Sequence, residues 1–363
     1  MAERQYAKYV QPLRLGTESI NPSFRGKISD FALIHDQKTT PESPIRTETF
    51  YAYAAGAGAF APSDLLPIID GRPAEERKGV GSHSHNDFDE VYYFFGTDPT
   101  DNTRLGGQVE MWLGHGKDAE KFVMKDPTAV YVPKGLAHNP WIVTKVNDPD
   151  RPIMITCVSL TDKYSLAADA VKNYPYPPAF DSDLIGVPQP GKGKYAKYVN
   201  RLTLSQDIYI SLLMGRVCTP NLMFDDKVFR APLWTEFFFA YAGGTGVGVP
   251  TLADIAKADA MSYWDWTKGM QHYQSYDEVF LYLPTHPHDI LDLGGEIVSY
   301  LGDEDYSLTK PTAIYVPGRV LHNPQYFKRV DRPYYMLVIA LTDNGAFHDG
   351  EFTPVPAPTT FKF

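Results

Sequence analysis

The chain has 363 residues, 43% of them apolar and 13% aromatic, which is enough for about two domains with buried cores. Its 44 acidic residues against 34 basic ones give a net charge of −10. That argues against nucleic acid or an anionic membrane surface as the main partner and leaves a small-molecule substrate as the expected one. No run of about 18 apolar residues predicts a membrane span. The N-terminus lacks a basic-then-apolar leader, and the two cysteines, Cys157 and Cys218, have no matched partners, so a reduced, cytoplasmic setting is expected.

In chain order, YAKYV at residues 6–10 comes first, followed by the strand-like TETFYAYAAG ending at Gly56. Next come GSHSHNDFDEVYYF (81–94), QVEMWL, AVYVP, WIVTKV and PIMITCVSL, rich in Val, Ile, Tyr, Phe and Thr. DKYSLAADAVKNY (162–174) predicts a short helix. The proline- and glycine-rich stretch that follows reads as a linker.

The pattern then starts again. YAKYV returns at 195–199, TEFFFAYAGG ends at Gly244, and Asp277-Glu278-Val279 echoes Asp89-Glu90-Val91. PTAVYVPKGLAHNP from Pro127 returns as PTAIYVPGRVLHNP from Pro311. The chain is therefore read as two copies of one domain: 1–175, a linker at 176–193, and 194–363. A second helix is expected at 251–261, and the acidic DEDY (303–306) reads as a solvated turn. Short strands punctuated by 28 glycines and 30 prolines predict an all-β chain of sandwich or barrel type.

The chemistry-bearing residues cluster in two segments of each copy. His83 and His85 are two apart, so on a strand they face the same way. Glu90 follows on the next stretch of strand, and His138 comes after a Pro-Lys-Gly turn. Three imidazoles and a carboxylate can surround a first-row transition ion: Fe, Mn, Ni, Co, Zn or Cu. In an octahedral site they leave two cis positions open. In the second copy His272, Gln274, Glu278 and His322 occupy the corresponding slots and form a candidate second site, with an amide where the first copy has an imidazole. If Glu90 points inward, so does Tyr92 by strand parity. Glu48 on TETFYAYA, echoed by Glu236, shares a face with Phe50 and reads either as a pocket acid or base or as the buried partner of an arginine such as Arg46.

H-x-H, four residues, E, then P-x-G-x-x-H resembles the paired motifs of the cupin superfamily, and because both halves carry it the chain resembles a bicupin. The resemblance implies two tandem jelly-roll (double-stranded β-helix) barrels. It also implies His83, His85, Glu90 and His138 as metal ligands, with Glu48 and Tyr92 as candidate catalytic groups. The expected function is that of a metal-dependent enzyme, first a dioxygenase acting on a small enolic or aromatic compound. A redox-neutral hydrolase, isomerase or decarboxylase is the alternative, and a non-catalytic metal- or ligand-binding protein the third reading. Pairing of such barrels through their edges implies a homo-oligomer.

Overall fold

The computed structural model describes residues 4–17, 26–59, 82–115, 118–163, 171–174, 193–205, 221–243, 245–247, 273–286 and 289–346. The expected linker (apart from Gly193) and the expected helix at 251–261 lie outside them, as do His272 and Cys218. Strands dominate. The helical elements among the described residues are two three-residue 3-10 turns, Ala7–Tyr9 and Ala196–Tyr198. No helix among these residues is long and apolar enough to cross a membrane.

Two compact units form. One holds Arg14–Lys38 and Glu42–Leu202; the other holds Met1–Leu13, Thr39–Pro41 and Thr203–Phe363. In the first, a seven-stranded antiparallel sheet runs Val199–Arg201, Thr128–Val132, Glu90–Gly96, Ile153–Ser159, Arg46–Ala52, Ala32–His35, Arg14–Gly16. The other sheet runs Val171–Tyr174, Ser82–His85, His138–Val146, Gly107–Leu113, Glu120–Met124, with Gly58–Ala59 paired to His138–Val146. Their inner faces share one core. At its centre Trp141 has its ring 6.3 Å from those of both Phe50 and Phe94. The three middle strands of the seven-stranded sheet are buried along their whole length, which is why TETFYA and IMITCVS lack a clean apolar–polar alternation.

The second unit repeats the plan. One sheet runs Val10–Pro12, Thr312–Val316, Glu278–Pro284, Tyr334–Ala340, Trp234–Ala240, Asn221–Phe224, Thr203–Ser205. The other runs Thr245–Val247, His322–Val330, Gly295–Leu301, Glu304–Leu308.

The duplicated YAKYV has a specific place in each unit. The first copy leads into Val10–Pro12, which pairs with Thr312–Val316, a strand of the second copy. The second leads into Val199–Arg201, which pairs with Thr128–Val132 of the first copy. Each is tied down in the same way. Glu304 accepts hydrogen bonds from the Gln5 and Tyr6 amides at 2.7 and 3.1 Å, and Glu120 accepts from Lys194 and Tyr195 at 2.6 and 3.0 Å. The tyrosine rings lie over Gly302 (φ +60°) and Gly114 (φ +87°), where a Cβ would meet ring carbons at 2.3 and 2.6 Å, so only glycine fits.

Two expectations need correction. DEDY is a solvated turn only at its first residue, the exposed Asp303: Glu304–Leu308 is a strand, and Glu304 caps the first YAKYV segment. The 162–174 stretch does not end as a helix. Val171–Tyr174 is a strand pairing with Ser82–His85, a non-local partner that outweighs the local helical pattern.

His35 adds a pH dependence to the fold. It is fully buried with its Nε2 2.7 Å from the Ser43 hydroxyl, and burial, opposed only by nearby Asp36, lowers its pKa to about 4. A neutral histidine in the folded state, against an ordinary value in the unfolded chain, stabilises fully above about pH 6.5. That stability is lost as pH falls from there toward 4, on the order of 3 kcal/mol. His35→Gln is expected to flatten that part of the stability–pH curve in denaturant titrations. An unchanged slope between pH 6.5 and 4 would contradict this.

Candidate metal centre

The barrel's two sheets bring together four side chains from three strands. His83 and His85 lie on Ser82–His85, Glu90 opens Glu90–Gly96, and His138 opens His138–Val146. His138 pairs directly with His83 across the sheet. The turn before it is pinned from both sides: the Gly135 amide donates to the His85 carbonyl at 2.6 Å and the Lys134 amide donates to Asp89 at 2.7 Å. Gly135 adopts φ +81°, the left-handed conformation that makes glycine the natural residue of a P-x-G turn.

All four side chains are buried, none exposed by more than 2%. Their donor atoms lie within 4.8 Å of one another. The Nε2 atoms of His83 and His85 are 3.1 Å apart, and Glu90 Oε2 is 2.9 Å from His138 Nε2 and 3.6 Å from His85 Nε2. Neighbouring donors around an ion with bonds of about 2.1 Å are roughly 3 Å apart, so the set is spaced for a metal. The tautomer agrees. His138 Nδ1 is 3.0 Å from the Leu136 carbonyl, so with the proton on Nδ1 its Nε2 would present a lone pair to an ion shared with the carboxylate. Burial pushes the His83 and His85 imidazoles down, toward the neutral form that ligates. Burial alone would push Glu90 up, but a hydrogen bond from His138 and the charge of any protonated imidazole beside it lower its pKa to about 2. Two imidazole lone pairs and a carboxylate at these distances call for a shared cation. Among the described residues no other group has this character.

Sequence reasoning missed the residues that hold Glu90. The Ser159 hydroxyl donates to Glu90 Oε1 at 2.8 Å, and the Cys157 thiol approaches the same oxygen at 3.8 Å. Tyr92, as expected, faces inward; its hydroxyl donates to Glu90 Oε2 at 3.3 Å and accepts from Asn139 Nδ2 at 3.2 Å. The missed signal was parity: Ser159 and Cys157 are two apart on ITCVSL and pair with Glu90 and Tyr92. Cys157 carries a free, buried thiol. Glu48 pairs with Cys157 in register and forms a buried ion pair with Arg46. Of the two readings of Glu48, the structure supplies the arginine partner.

Because Ser159 engages Oε1, Oε2 is the oxygen turned toward the imidazoles. Ser159→Ala is therefore expected to weaken metal binding about ten-fold or more while the fold survives. Competition with a chromogenic chelator reads this directly, and an unchanged affinity would contradict it.

The second unit keeps half of the arrangement. His322 Nε2 is 2.9 Å from Glu278 Oε2, and its Nδ1 is 3.1 Å from the Val320 carbonyl. Gln274 is buried and its carbonyl accepts from the Arg319 amide at 2.7 Å; His272 is outside the described residues. The surrounding polarity is gone: Phe280, Val338 and Ala340 stand where the first unit has Tyr92, Cys157 and Ser159.

No protein-family model matches the chain, and no curated protein matches its sequence. Solved structures do. A variant of oxalate decarboxylase from Bacillus subtilis has 11% identity and a TM-score of 0.51, covering 92% of this chain and 78% of that one. An oxalate decarboxylase structure described for its substrate binding mode and a reaction specificity switch gives 11%, 0.50 and the same coverage. AerE from Microcystis aeruginosa gives 10%, a TM-score of 0.46, and coverage of 92% and 99%. The likeness to the decarboxylases is one of fold.

Proposed function

From a chain whose fold is that of a bicupin, two cupin barrels in tandem, we propose a metal-dependent enzyme whose reaction centre lies in the N-terminal barrel. One observation carries this reading: three buried imidazoles and a buried carboxylate present their donor atoms to a common point, with the carboxylate held ionised. His83, His85, Glu90 and His138 would hold one first-row transition ion. A bound ion of that kind supplies a Lewis acid, or with a redox-active metal a route for oxygen chemistry, next to a substrate oxygen.

The chain's own groups do the rest. Ser159 fixes the carboxylate. Tyr92 is held between Glu90 and Asn139 and can turn its hydroxyl to a substrate oxygen beside the centre. Burial of Tyr92, Phe94 and Trp141 excludes water from the inner side. Arg46 forms a buried ion pair with Glu48, which supports the reading of that carboxylate as a structural anion.

The reaction proposed first is oxygen-dependent cleavage of a small enolic or aromatic compound, the aromatic-lined interior being the supporting feature. Redox-neutral loss of CO₂ from a small carboxylic acid is the second reading, favoured by the fold shared with structures named as oxalate decarboxylases. The test gives metal-loaded protein a catechol, an enediol and oxalate while following dissolved oxygen and CO₂ together. Stoichiometric oxygen uptake supports the first reading, and CO₂ release without oxygen uptake supports the second. Neither, from protein with full metal occupancy, would overturn the enzyme reading for these substrate classes.

A further inference from the structure

Superposing the two copies by strand register shows polarity leaving one part of the second barrel and entering another. At the inner positions where the N-terminal barrel has Phe94, Met111, Trp141 and Ile153, all members of its apolar core, the C-terminal barrel has Tyr282, Ser299, Gln325 and Tyr334. None of the four is more than 2% exposed. They adjoin one another. Ser299 and Gln325 are paired directly across neighbouring strands. Ser299 stands beside the Tyr282 phenol, and Tyr282 in turn lies close enough to Tyr334 to push its phenol further up than burial alone. The Tyr334 hydroxyl and Gln325 Oε1 are buried with no hydrogen-bond partner among the described residues, and the buried Tyr282 hydroxyl has the Ser299 hydroxyl beside it.

Two such atoms beside two further buried hydroxyls call for partners, because a buried polar group without a partner is strongly unfavourable and rare in folded proteins. The bulk has changed in the same place. An amide replaces the indole that fills the centre of the first barrel, and a hydroxymethyl replaces a thioether chain. Glu236, on the strand paired with Tyr334–Ala340, accepts a hydrogen bond from the Asn221 amide at 2.7 Å. Hydroxyls and an amide that both donate and accept, without net charge, select an uncharged ligand rich in hydroxyl groups.

We propose that the interior of the C-terminal barrel is a binding site for a small neutral polyol, made by Tyr282, Ser299, Gln325 and Tyr334. It is separate from the metal centre and does not depend on it. The four groups exchange hydrogen bonds with the ligand's hydroxyls, and the ligand supplies the partners that the described residues lack.

The test titrates the metal-loaded full chain with glycerol, erythritol and myo-inositol and follows the melting midpoint. At least one probe is expected to raise it saturably, by roughly 3 °C or more at about ten times the half-saturating concentration. The rise should vanish in Tyr282→Phe and Gln325→Leu and persist in His138→Ala, so that loss of the metal centre and loss of this site are read separately. If Gln325→Leu does not fold, Tyr282→Phe and Tyr334→Phe, each lacking a single oxygen, carry the test. A non-saturating rise that is equal in all variants is the general osmolyte effect and overturns the proposal. So does a crystal structure grown with myo-inositol that shows only ordered water between the four side chains.

Discussion

Arg46→Ala is expected to lower the melting midpoint of the protein by roughly 6 °C or more. Arg46 and Glu48 are each 7% exposed and form an ion pair on the inner side of the N-terminal barrel. Removing the guanidinium leaves a carboxylate buried without its countercharge, a loss of about 3–5 kcal/mol when one partner of a buried pair is deleted. At about 2–4 °C per kcal/mol for a unit of this size, the shift is large. The double replacement Arg46→Met/Glu48→Leu removes both charges and is expected to recover most of the loss, since the desolvation penalty goes with them. Calorimetry on the two variants checks the claim; a single variant as stable as the parent would show that Glu48 is satisfied by other groups. The same pair of proteins asks whether Glu48 has a part in turnover. If the double variant keeps both its metal and its activity, the carboxylate is structural.

His138→Ala is expected to abolish turnover and to weaken metal binding at least 100-fold, whereas His322→Ala should leave turnover within about three-fold of the parent. Both histidines follow the same turn and face a glutamate at 2.9 Å. The difference lies around them. Glu90 has Ser159, Cys157 and Tyr92 at its oxygens, and at the corresponding positions Glu278 has Ala340, Val338 and Phe280. An unsupported carboxylate and an amide in place of the second imidazole make a poorer first-row site. Turnover lost in His322→Ala but retained in His138→Ala would place the chemistry in the other barrel.

The fold was legible because the sequence states it twice. The recurrence of YAKYV, D-E-V and P-T-A-x-Y-V-P fixed the duplication, and strand-rich punctuation fixed the class. What YAKYV does was not legible. Its two copies are tied to strands of the opposite repeat through Glu304 and Glu120, a non-local pairing that no short-range pattern encodes. The same blindness turned Glu304 into an expected turn residue and Val171–Tyr174 into a helix end. The four candidate ligands were legible because a metal site needs particular residue types at particular spacings. Ser159 was not, because a lone serine at a strand end carries no such signature; only register with Glu90 gives it a role. Gly135 illustrates the limit of residue type from the other side. Its counterpart Arg319 holds φ +69° and makes the same amide contact, to the Gln274 carbonyl at 2.7 Å, so the turn persists even without glycine.

The account stands on metal bound by the N-terminal barrel, and elemental analysis of protein purified without chelator tests that most directly. About one first-row transition ion per folded chain is expected, retained in His322→Ala and falling to near zero in His83→Ala/His138→Ala with the strand content unchanged. Full occupancy in that double variant, or a metal-free parent protein that takes up no first-row ion on reconstitution, would contradict it.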